Sequence, residues 1–128
     1  MKFSTKAEYG LRAIVNLADA YPEIKSLNDV SKEEKISLKY LERLMGDMRK
    51  KNLVVSQKGK MGGYVLAREP KDINAGEIVE ALEGPIEFMQ CESSQCTSKN
   101  CRPKKVWLTL GRQIRETLKS ITLEDLIK

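Results

Sequence analysis

Three cysteines in one polar stretch are the residues with the most obvious chemistry. Cys91, Cys96 and Cys101 stand at an equal spacing of four intervening residues, and the small polar residues between them favour a loop. A flexible loop can wrap three thiolates around one inorganic centre, such as an iron–sulfur cluster. Nearby basic residues are expected to lower the pKa of the thiols and to offset the negative charge of a cluster. These basic residues are Lys99, Arg102, Lys104 and Lys105.

Other chemistry at these cysteines stays open on the residues alone. Zinc usually takes four ligands, and the chain contains no His. A disulfide switch would use two cysteines and leave one over. Inert thiols fit poorly with equal spacing in a polar loop, and long connections such as residues 86–104 are usually functional or disordered. On the residues alone, a metal or cluster site is therefore about as well supported as the alternatives, a thiol switch or inert cysteines, taken together.

Length and composition indicate one folded domain. The chain has 128 residues, of which 41% are hydrophobic and 32% charged, enough for a modest core. It has no apolar run of about 18 residues, so no transmembrane helix is expected. The N-terminal residues lack the apolar core of a signal peptide, which predicts a cytoplasmic protein. Structural disulfides are not expected in that reducing compartment.

Positive charge is concentrated in the first part of the chain. Residues 1–71 contain 15 Lys and Arg against 9 Asp and Glu, a net charge of +6, whereas residues 72–128 carry −1. A basic region of this kind is expected of a face that binds polyanions. Charge alone does not separate this from an ordinary basic protein with solvated lysines.

The basic region has the pattern of a helix-turn-helix. Apolar spacing predicts a helix over residues 6–20. Ser26 and Ser37 are good N-caps for a short helix and for a following helix that reaches about Lys51. The last of these helices carries an apolar stripe, and two such helices joined by a tight turn are what the motif requires.

A basic hairpin follows directly. Residues 53–56 and 64–67 are predicted strands, and the loop between them contains Lys58, Lys60 and three glycines, including Gly62. Glycine allows a tight turn and a close approach to a groove. A basic hairpin in this place is typical of a wing, so the predicted fold is mainly α with a small β-hairpin wing.

The C-terminal part predicts a dimerisation helix. Asn74 and Glu77 resemble a capping box for a helix that ends at Gly84, and a long helix follows over about residues 104–120. Its apolar residues recur at spacings of 4, 3, 4 and 3, like a coiled-coil seam. The seam can pack on its own core or pair with a second chain, and we favour pairing because helix-turn-helix proteins normally bind DNA as dimers. The seam contains Gly111, and the candidate dimerisation residues are Trp107, Leu110, Ile114, Leu118 and Ile121.

We therefore divide the chain into three regions within one compact domain. Residues 1–84 form the winged helix-turn-helix, residues 85–104 the cysteine loop, and residues 105–128 the dimerisation helix with a short terminal helix.

Four segments together resemble the winged-helix transcription regulators that include IscR, NsrR and CymR. Residues 1–13 resemble their first helix, 36–44 their recognition helix, 58–64 their wing and 121–126 their usual ending. The resemblance covers nearly the whole chain. It implies a homodimer that binds promoter DNA as a repressor or dual regulator, with no enzymatic activity, no membrane and no small-molecule substrate.

The resemblance also implies a cofactor. Cysteine-bearing members hold an iron–sulfur cluster in the matching loop, so Cys91, Cys96 and Cys101 are implied as ligands of a 2Fe-2S cluster, with 4Fe-4S as the alternative. CymR-like members lack the cysteine triplet, so the resemblance places this protein nearer IscR and NsrR. The nearby His that serves IscR-like members as fourth ligand is absent, and some members use a carboxylate of the first helix instead. Glu8 stands at that position, and a solvated surface Glu is an equal interpretation.

Candidate DNA contacts follow from the recognition helix and the wing. Lys39 and Arg43 suit guanine, and Glu42 suits cytosine or acts as a filter against other bases. Alternatively, Glu42 pairs with Lys39 or Lys50 on the helix surface. The remaining candidates for base-edge, phosphate or backbone contact are Ser37, Tyr40, Arg49, Lys50, Lys58, Lys60 and Gly62.

Rival functions explain less of the sequence. A redox-active thiol enzyme would want Cys-x-x-Cys in a βαβ setting, and neither is present. A protein-interaction module would leave the basic wing unexplained. The second choice is a winged-helix regulator that senses thiol chemistry without a cluster.

Overall fold

The computed structural model describes residues 4–87 and 102–128, and the three cysteines lie outside these ranges. The described residues form six helices and a two-stranded antiparallel sheet. The helices are α1 (Thr5–Ala20), α2 (Leu27–Glu34), α3 (Leu38–Lys50), α4 (Ala75–Glu83), α5 (Lys104–Ser120) and α6 (Leu123–Ile127), and the strands are β1 (Val54–Gln57) and β2 (Gly63–Leu66). A short 3₁₀ turn, Pro70–Asp72, precedes α4. The predicted fold, mainly helical with a small hairpin, is confirmed.

Local capping sets where the helices begin. The Ser26 hydroxyl accepts the backbone N–H of Asp29 at 3.1 Å, and the Ser37 hydroxyl accepts that of Tyr40 at 3.2 Å. Asn74 forms the predicted capping box with Glu77. Each cap satisfies an N–H that has no partner inside the helix. The predicted starts of α2, α3 and α4 are therefore confirmed.

One hydrophobic core joins the helix-turn-helix to the helices around it. Ile14 and Leu17 of α1 are buried against α3 and α4. Gly10 allows α1 to approach α4, because a Cβ there would lie 2.2 Å from Leu82 Cδ1. The core thus supports α3 from behind and leaves its other face exposed. The apolar stripe predicted for α3 starts at Leu38, but Leu38 is 37% exposed in the first turn of the helix. The other four residues of the stripe are fully buried, and they are Leu41, Leu44, Met45 and Met48.

The hairpin pairs Val54 with Leu66 and Gln57 with Gly63. The strands are shifted by one residue from the predicted ranges, β1 towards the C-terminus and β2 towards the N-terminus. A tight loop explains the shift, since a Cβ on Gly62 would lie 2.2 Å from the Gln57 carbonyl oxygen. Gly59, with φ of 112°, adopts a conformation that side chains disfavour.

Helix α5 packs on α4 but buries little of itself. Gly111 is buried in this helix, whereas Val106 and Leu108 are 59% and 40% exposed. Among the described helices, none is long and apolar enough to span a membrane.

Candidate nucleic-acid interface and cysteine loop

The outer face of α3 is polar and exposed. The apolar stripe of α3 packs against the core. The candidate contact residues lie on the opposite face and therefore point away from the core. They are Ser37, Lys39, Glu42, Arg43, Arg49 and Lys50, all exposed. Among the described residues, neither Lys39 nor Lys50 has its nitrogen within 4.0 Å of the Glu42 carboxylate, so Glu42 forms no ion pair with either lysine. The structure therefore does not show Glu42 as half of a surface ion pair.

Ser37 and Tyr40 are held by their surroundings. Ser37 is the N-cap of α3, so its oxygen already accepts one backbone N–H. The Tyr40 ring is partly buried and meets the Tyr9 ring edge-on, with centroids 5.9 Å apart at 89°. Arg12 lies over the Tyr9 ring in turn, 5.2 Å from its centroid. Helix α1 therefore fixes the orientation of Tyr40.

The hairpin tip presents two lysines and one methionine. Lys58 and Lys60 are exposed, and Met61 is 89% exposed. No carboxylate of the described residues lies within ion-pair distance of either lysine. The tip thus offers two cations to a polyanion. The exposure of Met61 was missed from the sequence, although its place between glycines of a tight loop signals it.

The hairpin is attached to the segment before α2. The backbone of Lys25 exchanges two hydrogen bonds with Tyr64, each 2.9 Å. Gly63 permits this approach, because a Cβ there would lie 2.2 Å from the Lys25 carbonyl oxygen. Lys25 was missed from the sequence, since a bridge between distant segments leaves no periodic pattern.

A polar cluster surrounds the side chain of Lys25. Its ammonium donates to Asn16 Oδ1 at 2.6 Å and to Glu33 Oε1 at 2.5 Å. The Asn16 amide donates to Glu33 at 3.0 Å and to Glu34 at 2.7 Å. Hydrogen bonds from Lys25 and then Asn16 lower the pKa of the Glu33 carboxyl from its usual 4.5. This cluster links α1, the segment before α2, and α2 itself.

The described residues show the two ends of the cysteine loop. Ile86 is buried, and its carbonyl accepts a hydrogen bond from Arg115 Nη1 at 2.7 Å. The other end enters α5 at Lys104. Glu8 is exposed on α1. No group of three His, Cys, Asp or Glu within residues 4–87 and 102–128 is arranged to hold a metal ion.

Four of the five dimerisation candidates lie on α5. Trp107, Leu110, Ile114 and Leu118 are each only partly buried. Ile121 follows the helix in an extended conformation, so it does not continue the helical face as the seam predicted.

A helix-turn-helix with a basic hairpin behind it defines the class: a winged-helix DNA-binding protein. The family described as Rrf2, iron-dependent transcriptional regulator, matches residues 3–128. The chain belongs to this family, and its named relatives are transcription regulators rather than enzymes.

Individual relatives agree with that assignment. The transcriptional regulator CymR of Bacillus subtilis is 39% identical over 127 residues, which cover 98% of this chain and 89% of CymR. The solved structure of CymR, described as the global cysteine regulator of B. subtilis, has a TM-score of 0.86 at 36% identity, covering 99% of this chain and 96% of that one. The structure of T. potens IscR has a TM-score of 0.82 at 38% identity, covering 99% and 86%.

Proposed function

We propose that this protein is a homodimeric regulator that binds promoter DNA in the cytoplasm and senses iron–sulfur cluster status, oxidants or nitric oxide through Cys91, Cys96 and Cys101. Residues 1–84 read DNA, residues 85–104 carry the sensor, and residues 105–128 hold two chains together. The observation that carries the DNA-binding part is the exposed polar face of α3 beside a hairpin tip whose two lysines have no carboxylate partner among the described residues.

DNA reading is divided between helix and wing. Lys39, Glu42 and Arg43 stand in the first turns of α3, where side chains reach base edges in the major groove. Tyr40 adds a phenolic hydroxyl, and Ser37 caps the helix whose N-terminus faces DNA. Gly62 keeps the wing loop narrow. Phosphate attraction that is largely independent of sequence comes from Arg49, Lys50, Lys58 and Lys60.

Dimerisation is supported by the state of α5. Trp107, Leu110, Ile114 and Leu118 are apolar and remain partly exposed, and single subunits rarely leave such a continuous stripe open to water. A second copy of the same helix would cover it, as symmetric dimers require. Two reading heads would then meet two half-sites of one operator.

The sensor is supported by its donor set and by the two ends of the loop. Cysteine thiolates are the usual ligands of iron–sulfur clusters in proteins, and the family description names iron dependence. A bound cluster would supply a redox-sensitive centre that ties the three cysteines together. Ile86 and Lys104 bracket the loop against α5, so a change in the loop reaches the dimerisation helix directly. Glu8 is the proposed fourth ligand, reaching across the dimer.

The deciding experiment is anaerobic purification followed by a visible absorption spectrum and iron and sulfide assays. A 2Fe-2S or 4Fe-4S cluster gives absorption near about 400 nm with stoichiometric iron and sulfide. Cys96→Ala is expected to lose this absorption while remaining a folded dimer. An unchanged spectrum in that variant contradicts the ligand assignment.

A thiol-sensing regulator without a cluster is the second candidate. It is favoured by the 39% identity to CymR, whose structure is described as that of the global cysteine regulator. A colourless protein that resists cluster reconstitution but still binds DNA would support it. Oxidant-dependent loss of DNA binding in that protein would then identify the cysteines as thiol sensors.

A further inference from the structure

Asn16 is the buried polar side chain of the described core, 7% exposed. It lies on α1, yet its hydrogen bonds run to α2 and to the segment before it. Buried amides need partners, and one with all its partners on neighbouring elements fixes those elements relative to each other.

Lys25 joins this buried amide to the wing. Its side chain, 21% exposed, donates to Asn16 and Glu33. Its backbone forms both hydrogen bonds of the bridge to Tyr64 on β2. One residue thus holds the hairpin with its backbone and the helix-turn-helix with its side chain.

We propose that Lys25, Asn16 and Glu33, here called the Lys25 clamp, are positioning residues that set the angle of the wing relative to α3. The inference rests on the proposed function, since it takes the wing as a DNA contact. None of the three residues needs to touch DNA.

The geometry of the hairpin explains why an anchor at this place matters. Lys60 lies four residues before Tyr64, so the tip extends up to about 13 Å beyond the bridge at about 3.3 Å per residue. A rotation of about 20° at the bridge moves a tip at that distance by about 4–5 Å, which exceeds the tolerance of a hydrogen bond to phosphate. A loosened clamp therefore weakens DNA binding by the wing while α3 remains in place.

Charge and position predict opposite results for one substitution. Glu33→Ala makes the protein more positive, which by long-range attraction strengthens DNA binding. The same change removes a carboxylate that accepts hydrogen bonds from both Lys25 and Asn16. If the clamp positions the wing, this loss weakens DNA binding. Glu69→Ala is the matched control, because Glu69 also pairs with a lysine, Lys71, at 3.3 Å beside α6.

The experiment measures binding of the full chain to a duplex of roughly three helical turns, selected from random sequences by the wild-type protein. Fluorescence anisotropy is recorded across a series of salt concentrations. Glu33→Ala is expected to bind about fivefold more weakly, and the slope of log K against log salt should fall by about 0.9 for each phosphate that the wing no longer neutralises. Glu69→Ala is expected to bind as well as wild type or slightly better.

A second pair of variants covers poor folding of Glu33→Ala. Lys25→Met keeps the backbone bridge and the apolar stem but removes the ammonium, and Lys71→Met is its control of equal charge. Combined with alanine at both Lys58 and Lys60, Lys25→Met is expected to weaken binding little further, because the wing is already disabled. If Lys25 contributed only to stability, Lys25→Met would lower the melting temperature and leave the salt slope unchanged. Its effect on DNA binding would then be the same with or without alanine at Lys58 and Lys60.

The outcomes separate the two proposals. If alanine at Lys58 and Lys60 leaves DNA binding unchanged in the wild-type background, the wing is not a DNA contact. The clamp and the wing's part in the proposed function are then both wrong. If those alanines weaken binding but Glu33→Ala binds as tightly as Glu69→Ala with an unchanged salt slope, the clamp alone is overturned.

Discussion

Helices α3 and α5 carry similar apolar stripes, but the chain buries only one of them. The stripe of α3, from Leu41 to Met48, is fully buried. The stripe of α5 stays partly exposed except at Gly111. Periodicity alone does not distinguish a helix that serves its own core from one that serves a second chain. The difference lies in what surrounds each helix in the folded subunit.

The largest expected effect tests the exposed stripe. Ile114→Arg places a charge in the proposed dimer seam, and an unpaired buried charge costs about 4 kcal/mol, roughly a thousandfold in the dimer dissociation constant. Sedimentation equilibrium measures this, with circular dichroism as the check on folding. Gln113→Arg, on an exposed position of the same helix, is expected to remain dimeric. A dimeric Ile114→Arg would contradict the seam.

The buried stripe is tested by Leu44→Ala. Leu44 is 0% exposed, and truncation of such a leucine costs about 3 kcal/mol through reduced burial and the cavity left behind. Urea unfolding measures the destabilisation. Leu108→Ala on α5, at a position 40% exposed, is expected to cost well under half as much. Equal costs at both positions would remove the contrast between the helices.

Two glycines extend the contrast to the hairpin and α3. Gly63→Ala places a Cβ 2.2 Å from the Lys25 carbonyl oxygen, so the bridge must open, at a cost of about 1–3 kcal/mol. Gly46→Ala, inside α3 with nothing within 4 Å of the added Cβ, is expected to stabilise by about 0.5–1 kcal/mol. Thermal unfolding of both variants gives the sign directly. Stabilisation by Gly63→Ala would mean that the bridge is loose.

The smallest expected effect is acid sensitivity at the Lys25 clamp. The pKa of Glu33 is lowered by hydrogen bonds from Lys25 and Asn16, so its contribution to stability is present above pH 4.5 and is lost as pH falls through the lowered value. The melting temperatures of wild type and Glu33→Ala are therefore expected to converge between neutral pH and pH values below 4.5. A gap that stays constant across this range would contradict the contribution of the charged carboxylate.

Much of the fold could be predicted because its signals are local. The caps at Ser26, Ser37 and Asn74 bond to N–H groups three residues away, and the hairpin loop depends on Gly59 and Gly62. Such contacts involve a few consecutive residues, so residue type and spacing are enough to indicate them. Both strands were displaced by one residue towards the hairpin tip, because the loop is tight enough for Gln57 to pair with Gly63.

The candidate site divides in the same way. The polar face of α3 follows from the apolar stripe opposite it, and the basic tip follows from Lys58 and Lys60. The cysteine triplet and the positive charge of residues 1–71 are visible in the order of the residues. Residue order was therefore enough to predict the class of fold and the exposed polar and basic residues of α3 and the hairpin tip.

How these parts are held together depends on the packing of the whole chain. Lys25 meets Tyr64 across 39 positions of the chain, and Asn16 meets Glu33 across 17. The edge-on contact of Tyr9 with Tyr40 joins α1 to α3. Contacts at such separation form when packing of the core brings distant segments together, and no local pattern encodes which polar groups will then meet.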